Sequence, residues 1–263
     1  MLIDLTYRCS MGCSHCMSDC RPDGTDMTPE VLEDVLAFYR KHQVPNLTFS
    51  GGEMFENPYI LDLLQIIEKN WDQKFPLTFI TNGRKLSSTL DLLETVQGLQ
   101  RKYGKKKIII QVTDDPRFYP ESLTEKQRYR LKKLDAIIEG VPGSGNKCLY
   151  PQGRALENFN EAWWNTNAPK CTNVRILPKQ GICTIHGIVM TLLQAGKICT
   201  PVITPTGEIK LGESALCPSV ATIYDSEEKI IENILNCRCQ SCQYAFAQLQ
   251  KNHPGVHAML SEK

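Results

Sequence analysis

The sequence is first defined by what it lacks. No apolar run in its 263 residues approaches the span of about 18 residues that a membrane helix needs. No basic, apolar and small-residue segment of the kind that directs secretion opens it. Neither sign of charge is in excess: 30 Lys and Arg stand against 29 Asp and Glu, for a net charge of +1. No overall basic field therefore argues for a nucleic-acid partner. These absences lead to the expectation of a soluble, cytoplasmic protein with no membrane partner. With 41% hydrophobic and 22% charged residues, the chain can bury an ordinary core. Its length suits one large domain, or one domain with a small appendage.

What is abundant is cysteine, at 12 residues. In a reducing compartment that number fits metal or cluster binding better than a disulfide framework, with some thiols left to pack as small hydrophobes. Three of them are concentrated in Cys9-Ser10-Met11-Gly12-Cys13-Ser14-His15-Cys16, a C-x3-C-x2-C spacing just after a short apolar run. A structural zinc site closes with four ligands, whereas an iron–sulfur cluster held by three thiolates keeps one iron open for another molecule. From these residues alone, zinc with His15 or Cys20 as fourth ligand is the alternative.

Strands alternate with helices along the next 130 or so residues. Leu2 to Tyr7 suits a strand that delivers the cysteine loop to one end of a sheet. Thr28-Pro29-Glu30 opens a helix with a capping hydroxyl, a proline in the first turn and an early acid. Strands are expected at Leu47–Ser50, Leu77–Thr81, Lys107–Thr113 and Leu134–Glu139, with helices from about Pro58 to Asn70, Leu86 to Tyr103 and Thr124 to Lys133. A sixth strand is expected at Ile185 to Leu193. This order implies a parallel sheet, and the apolar runs without strict alternation predict strands covered on both faces. Periodicity fails from Gly140 to Gly181, a stretch too long for an idle loop, which is read as a lid or part of a second module. The basic stretches Lys105 to Lys107 and Lys126 to Lys133 read as solvated faces.

Several residues sit where parallel sheets bind ligands, at the carboxyl ends of strands. Gly51-Gly52-Glu53 follows the second strand, where missing side chains allow close approach and a carboxylate can accept from an ammonium group. Thr81 and Asn82 end the third strand, and Gln111, Thr113 and Asp114 end the fourth. Turn and capping duty is the plainer account of each.

The cysteine triplet with His15 before its last member, then Ser50-Gly51-Gly52-Glu53, then Ile80-Thr81-Asn82-Gly83, resembles the radical S-adenosylmethionine (radical SAM) superfamily over about the first half of the chain. Met54 stands where that family commonly has proline. The resemblance implies that Cys9, Cys13 and Cys16 hold a 4Fe-4S cluster whose fourth iron is chelated by S-adenosylmethionine. One electron would then release a 5'-deoxyadenosyl radical that removes a hydrogen atom from the substrate. It also implies that the His15 ring lies near the cluster and the adenine and that Glu53 receives the methionine amine. Thr81, Asn82, Gln111, Thr113 and Asp114 become candidates for the methionine carboxylate and the ribose.

The carboxyl-terminal region adds a second pattern. Ile198 to Thr204 and Glu208 to Leu211 flank Pro205-Thr206-Gly207 as a hairpin, and Asp225 to Asn236 reads as an amphipathic helix. Cys199, twelve residues, Gly212, four residues and Cys217 resembles the opening of the SPASM and twitch auxiliary-cluster modules. Cys239 and Cys242, with Cys237 just before them, would complete a second 4Fe-4S cluster; a zinc knuckle of the same thiolates is the alternative. Cys148, Cys171 and Cys183 remain as catalytic candidates, a hydrogen-atom donor among them.

The expected fold is α/β: a partial (β/α)6 barrel over 1–196, with an irregular insertion at about 140–181, and a small hairpin-plus-helix cluster-binding module over 197–263. The expected function is radical SAM chemistry on a peptide or protein, with oxidation or rearrangement of a sugar, alcohol or nucleotide as the alternative. A non-enzymatic zinc or iron–sulfur protein is the remote one. The expected partners are a flavodoxin- or ferredoxin-type reductant and, since the chain offers no leader-binding extension, a separate leader-peptide-binding protein.

Overall fold

The computed structural model describes residues 1–44, 46–139, 153–158, 184–194, 201–213, 215 and 217–237, with the side chains of 156 and 191–194 excepted. Five parallel strands follow one another in space in the order of the sequence: β1 (Leu2–Asp4), β2 (Leu47–Ser50), β3 (Leu77–Thr81), β4 (Ile108–Thr113) and β5 (Ile137–Glu139). They are joined by α1 (Pro29–Lys41), α2 (Ile60–Asn70), the pair α3 (Arg84–Ser88) and α4 (Leu90–Tyr103), and α5 (Glu125–Lys133). Local chemistry sets the ends of these helices. Thr28 accepts from the Val31 amide ahead of Pro29, and Thr124 and Gln127 form a reciprocal capping box.

One continuous helix was expected over Leu86 to Tyr103, and two are found. Thr89 adopts an extended conformation (φ −103°, ψ 119°) between them. It ends a run of three hydroxyl residues, Ser87-Ser88-Thr89, of the kind that competes with helical hydrogen bonding.

A second correction concerns Ile185 to Leu193, which forms a helix, Ile185–Gln194, and no strand. Thr184 caps it by accepting from the Gly187 amide, and Ile185, Ile188 and Val189 are buried at helical spacing while His186 is exposed. A short apolar run reads equally as strand or buried helix until its caps are weighed. The sixth parallel strand is instead β6 (Val202–Ile203), and it pairs with β1 on the opposite side from β2. β7 (Glu208–Lys210) and β8 (Ser219–Thr222) continue the same sheet antiparallel, giving the order β5-β4-β3-β2-β1-β6-β7-β8. The hairpin expected at 198–211 is thus present and hydrogen-bonded to the amino-terminal strand. A final described helix, Glu227–Asn236, is capped by Ser226.

The sheet has two unlike faces. Ile110, Phe79, Phe49, Ile3, Ile203 and Ile209 lie side by side across the register, each at most 1% exposed. They meet the apolar stripes of the helices, such as Leu32, Val35 and Leu36 of α1 and Leu63, Leu64 and Ile67 of α2. On the other face Thr48, Ser50, Thr78, Ile80, Ile109, Gln111 and Thr113 of β2 to β4 are half-buried, while Leu2, Asp4 and Val202 of β1 and β6 are buried. The expectation of strands covered on both faces holds for β1 and β6, while among the described residues β2 to β4 are covered by helices on one face and half-buried on the other. The result is a mixed α/β fold with a mostly parallel sheet.

Candidate active site

The carboxyl ends of β1 to β4 converge on the cysteine loop. Its arms are zipped together by Tyr7 N to Thr25 O (2.7 Å), Cys9 N to Arg21 O (2.9 Å) and Met27 N to Leu5 O (2.9 Å). Asp26 accepts from Thr6 Oγ1 at 2.6 Å and from Arg8 Nη2 at 2.6 Å, closing the base of the loop. Cys9 and Cys13 are buried, Cys16 is half-buried and Cys20 is buried, all four as reduced thiols. Burial first, with smaller contributions from nearby carboxylates at Cys9 and from the neighbouring cysteines at both, pushes the Cys9 and Cys13 thiols up to about 12. A hydrogen bond with Cys20 lowers the Cys16 thiol. Sulfurs that feel one another from a single loop are what a shared anionic ligand set requires.

The second strand meets this loop at Gly51-Gly52. The Gly52 amide donates to Thr6 O (2.7 Å) and the Glu53 amide to Arg8 O (2.8 Å). A Cβ on Gly51 would lie 2.2 Å from Thr6 O, and one on Gly52 would lie 2.4 Å from Arg8 O. The side chains are missing so that the cysteine-loop backbone can lie against the end of β2. Glu53 is fully buried and accepts from Thr81 Oγ1 (2.6 Å), the Asn82 amide (2.7 Å) and the Phe55 amide (3.2 Å). Burial raises its carboxyl to about 7 against the pull of those bonds.

The third and fourth strand ends form the opposite side. Thr81 also accepts from the Gly83 amide (2.9 Å), and Asn82 Oδ1 accepts from the Arg84 amide (3.0 Å). Thr113 Oγ1 lies 2.6 Å from Tyr119 Oη, and Gln111 is half-buried on the same face. Asp114 has no side-chain exposure, pairs with Arg84 at 3.1 Å and also with Arg128, and accepts from the Leu123 amide at 3.2 Å. The His15 ring packs on Phe118 (5.0 Å) and Tyr119 (5.6 Å), where burial lowers it to about 4. Its Nδ1 is buried without a hydrogen-bond partner.

Sequence reasoning missed Arg84, Tyr119, Asp4 and Arg154. Arg84 follows Asn82-Gly83 directly, and that adjacency was its signal. Asp4 ends β1 beside Ser50, where burial first and Glu213 second hold its carboxyl well above the ordinary range while Lys210 opposes them. Arg154 lies in the stretch without periodicity and bonds to the carbonyls of Cys13 and Cys20. Cys217 is half-buried after the hairpin, and Cys237, at the end of the last described helix, packs against the core. Cys148, Cys171, Cys183, Cys199, Cys239 and Cys242 lie outside the described residues. Among the described residues no three His, Cys, Asp or Glu converge on a single metal ion. A four-iron cube takes each thiolate on a different iron and so spaces its ligands more widely than one tetrahedral ion does. The thiol set and the orphaned His15 nitrogen beside it fit such a cluster.

The described residues thus define a mixed α/β fold with a cysteine-rich loop at the carboxyl ends of a mostly parallel sheet. Residues 3–100 match the model of the Radical SAM superfamily, a family whose cofactors are a 4Fe-4S cluster and S-adenosylmethionine. Among solved structures it is similar to one described as native anSMEcpe with bound AdoMet and Cp18Cys peptide. That match has 12% identity and a TM-score of 0.52, and covers 100% of this chain and 99% of the other. No curated protein matches the sequence. Among the described residues no helix is long and apolar enough to cross a membrane.

Proposed function

We propose that the protein reductively cleaves S-adenosylmethionine and uses the resulting radical to take a hydrogen atom from a peptide or protein. The carrying observation is the loop that holds Cys9, Cys13 and Cys16 as free thiols, the first two buried, at the carboxyl ends of the parallel strands. When bound, the cluster supplies the electron that breaks the sulfonium. The chain's residues do the positioning. Cys9, Cys13 and Cys16 give up their protons on ligation. Glu53 ties the ends of β2 and β3 together, and its Oε2, with one donor on it, keeps acceptor capacity that the methionine ammonium would use. Gly51 and Gly52 keep the loop against that carboxylate. Thr81, Asn82, Gln111, Thr113 and Asp114 would hold the methionine carboxylate and ribose, Asp114 by keeping Arg84 in place. The His15 ring flanks the adenine.

A peptide is favoured over a small molecule because the half-buried part of the sheet face extends across β2 to β4 and carries Thr48, Ser50, Thr78, Gln111 and Thr113. The relative of similar fold is also described with a peptide bound. Cys199, Cys217, Cys239 and Cys242, with Cys237 as an alternative ligand, form an auxiliary 4Fe-4S cluster in a carboxyl-terminal SPASM-like module. A flavodoxin or ferredoxin supplies electrons in the cytoplasm, and a separate protein presents any leader peptide. The test is anaerobic reconstitution, with iron and sulfide counted per chain and 5'-deoxyadenosine measured after adding dithionite and S-adenosylmethionine. About eight irons per chain with cleavage supports both clusters. About four irons that vanish on Cys13→Ala leaves one cluster and removes the auxiliary assignment. No cleavage at all overturns the proposal. Turnover of a sugar or nucleotide in place of any peptide replaces the substrate class.

A further inference from the structure

The segment Gly153–Asn158 is fastened to the cysteine loop. The Arg154 amide donates to Cys16 O (3.0 Å), its Nε to Cys13 O (3.0 Å) and its Nη1 to Cys20 O (3.1 Å). Asn158 Nδ2 reaches Ser14 O at 2.9 Å. Asp19 Oδ1, from the same loop, lies 3.5 Å from Arg154 Nη1. Gly153, at φ +57°, permits the approach, because a Cβ there would lie 2.2 Å from Cys16 O. One arginine thus satisfies acceptors at both ends of the irregular stretch from Cys13 to Cys20. Its side chain is 19% exposed, and its charge acts on the thiols of both Cys13 and Cys16. Such a buried fork is rigid and keeps its charge at any accessible pH.

We propose that Arg154 is a positioning residue of the cluster site, one that fixes the Cys13–Cys20 backbone before iron arrives and biases the bound cluster toward its reduced state. This rests on the reading that the loop holds a cluster. A cluster on three thiolates is anionic and becomes more so on reduction, so a fixed positive charge in a poorly solvated place favours the reduced form. Hydrogen bonds that orient the ligand-bearing backbone act in the same way as the outer partners of other metal sites.

Arg154→Met removes both fork and charge, and Arg154→Lys keeps the charge but cannot span two carbonyls. On the iron-free chain, hydrogen exchange over Cys13–Cys20 should quicken at least about tenfold in both variants. Exchange in β2 and β3 should stay at its wild-type rate, which establishes that each variant folds. After reconstitution, an EPR-monitored titration should give a lower midpoint for Arg154→Met and a midpoint near wild type for Arg154→Lys. Unchanged loop exchange in a folded variant overturns the positioning role. Equal midpoints for wild type and Arg154→Met overturn the electrostatic role. If β2 and β3 loosen as well in both variants, Arg154 supports the whole fold and the positioning role falls. A wild-type chain that takes up no iron would remove the parent reading, while the exchange measurement on iron-free protein would still decide the positioning role.

Discussion

Glu53 carries the most informative single titration. It is fully buried, it holds the ends of two strands together through Thr81 and Asn82, and burial raises its carboxyl from 4.5 to about 7. The folded chain therefore keeps a proton that the unfolded chain releases between pH 4.5 and about 7. Stability falls as pH rises across that window and levels off above it. In the iron-free chain, Glu53→Gln should gain on wild type across the same window by up to about 3 kcal/mol, read from urea unfolding at a series of pH values. A difference that does not change with pH would contradict the burial account. The residue type was visible in the sequence, as were the three thiols. The partners of Glu53 lie 28 and 29 positions away, and Arg154 lies 141 positions from Cys13, so nothing local announced either.

At the scale of elements, the end of β2 and the cysteine loop work as one piece. Gly52→Ala would drive a methyl group into Arg8 O and the Cys9 Cβ, 2.4 and 3.0 Å away. The expected cost is roughly 1–3 kcal/mol of stability, as for other overpacked sites. The bonds from Gly52 to Thr6 and from Glu53 to Arg8 should go with it, and with them most of the iron retained after reconstitution. Chemical denaturation and an iron assay check this. Wild-type iron content would mean that the loop tolerates displacement. The same motif was legible as a place of close approach, but what approaches is the chain's own backbone. The helix over Ile185–Gln194 shows the limit of periodicity more plainly. Ile185-His186-Gly187-Ile188-Val189 is apolar enough for a buried strand, and only Thr184 and the spacing of the buried residues separate the two readings.

At the scale of the molecule, β6 sits beside β1, so the hairpin near the carboxyl end and the first strand share hydrogen bonds. Ser18 Oγ to Glu213 O (2.6 Å) and Ala215 N to Met17 O (3.1 Å) add a second seam between the cysteine loop and the segment after the hairpin. Elements joined this way unfold together. Hydrogen exchange should therefore give β1, β2, β6 and β7 a common opening free energy, moving in parallel with urea. Earlier opening of β6 and β7 would make the carboxyl-terminal part an independent unit.

The sequence by itself determined which residue types stand at the candidate site and the succession of its first five strands. Thiol spacing is a local property, and strand-helix alternation is written in short-range periodicity. The tertiary structure alone decided which strand lies next to β1, which part of the sheet stays half-buried, and which side chains hold the loop. Those choices depend on contacts between residues far apart in the chain: the row Ile110, Phe79, Phe49, Ile3, Ile203 and Ile209 exists only once the strands are side by side. No pairwise register of that kind leaves a mark in any single stretch of sequence.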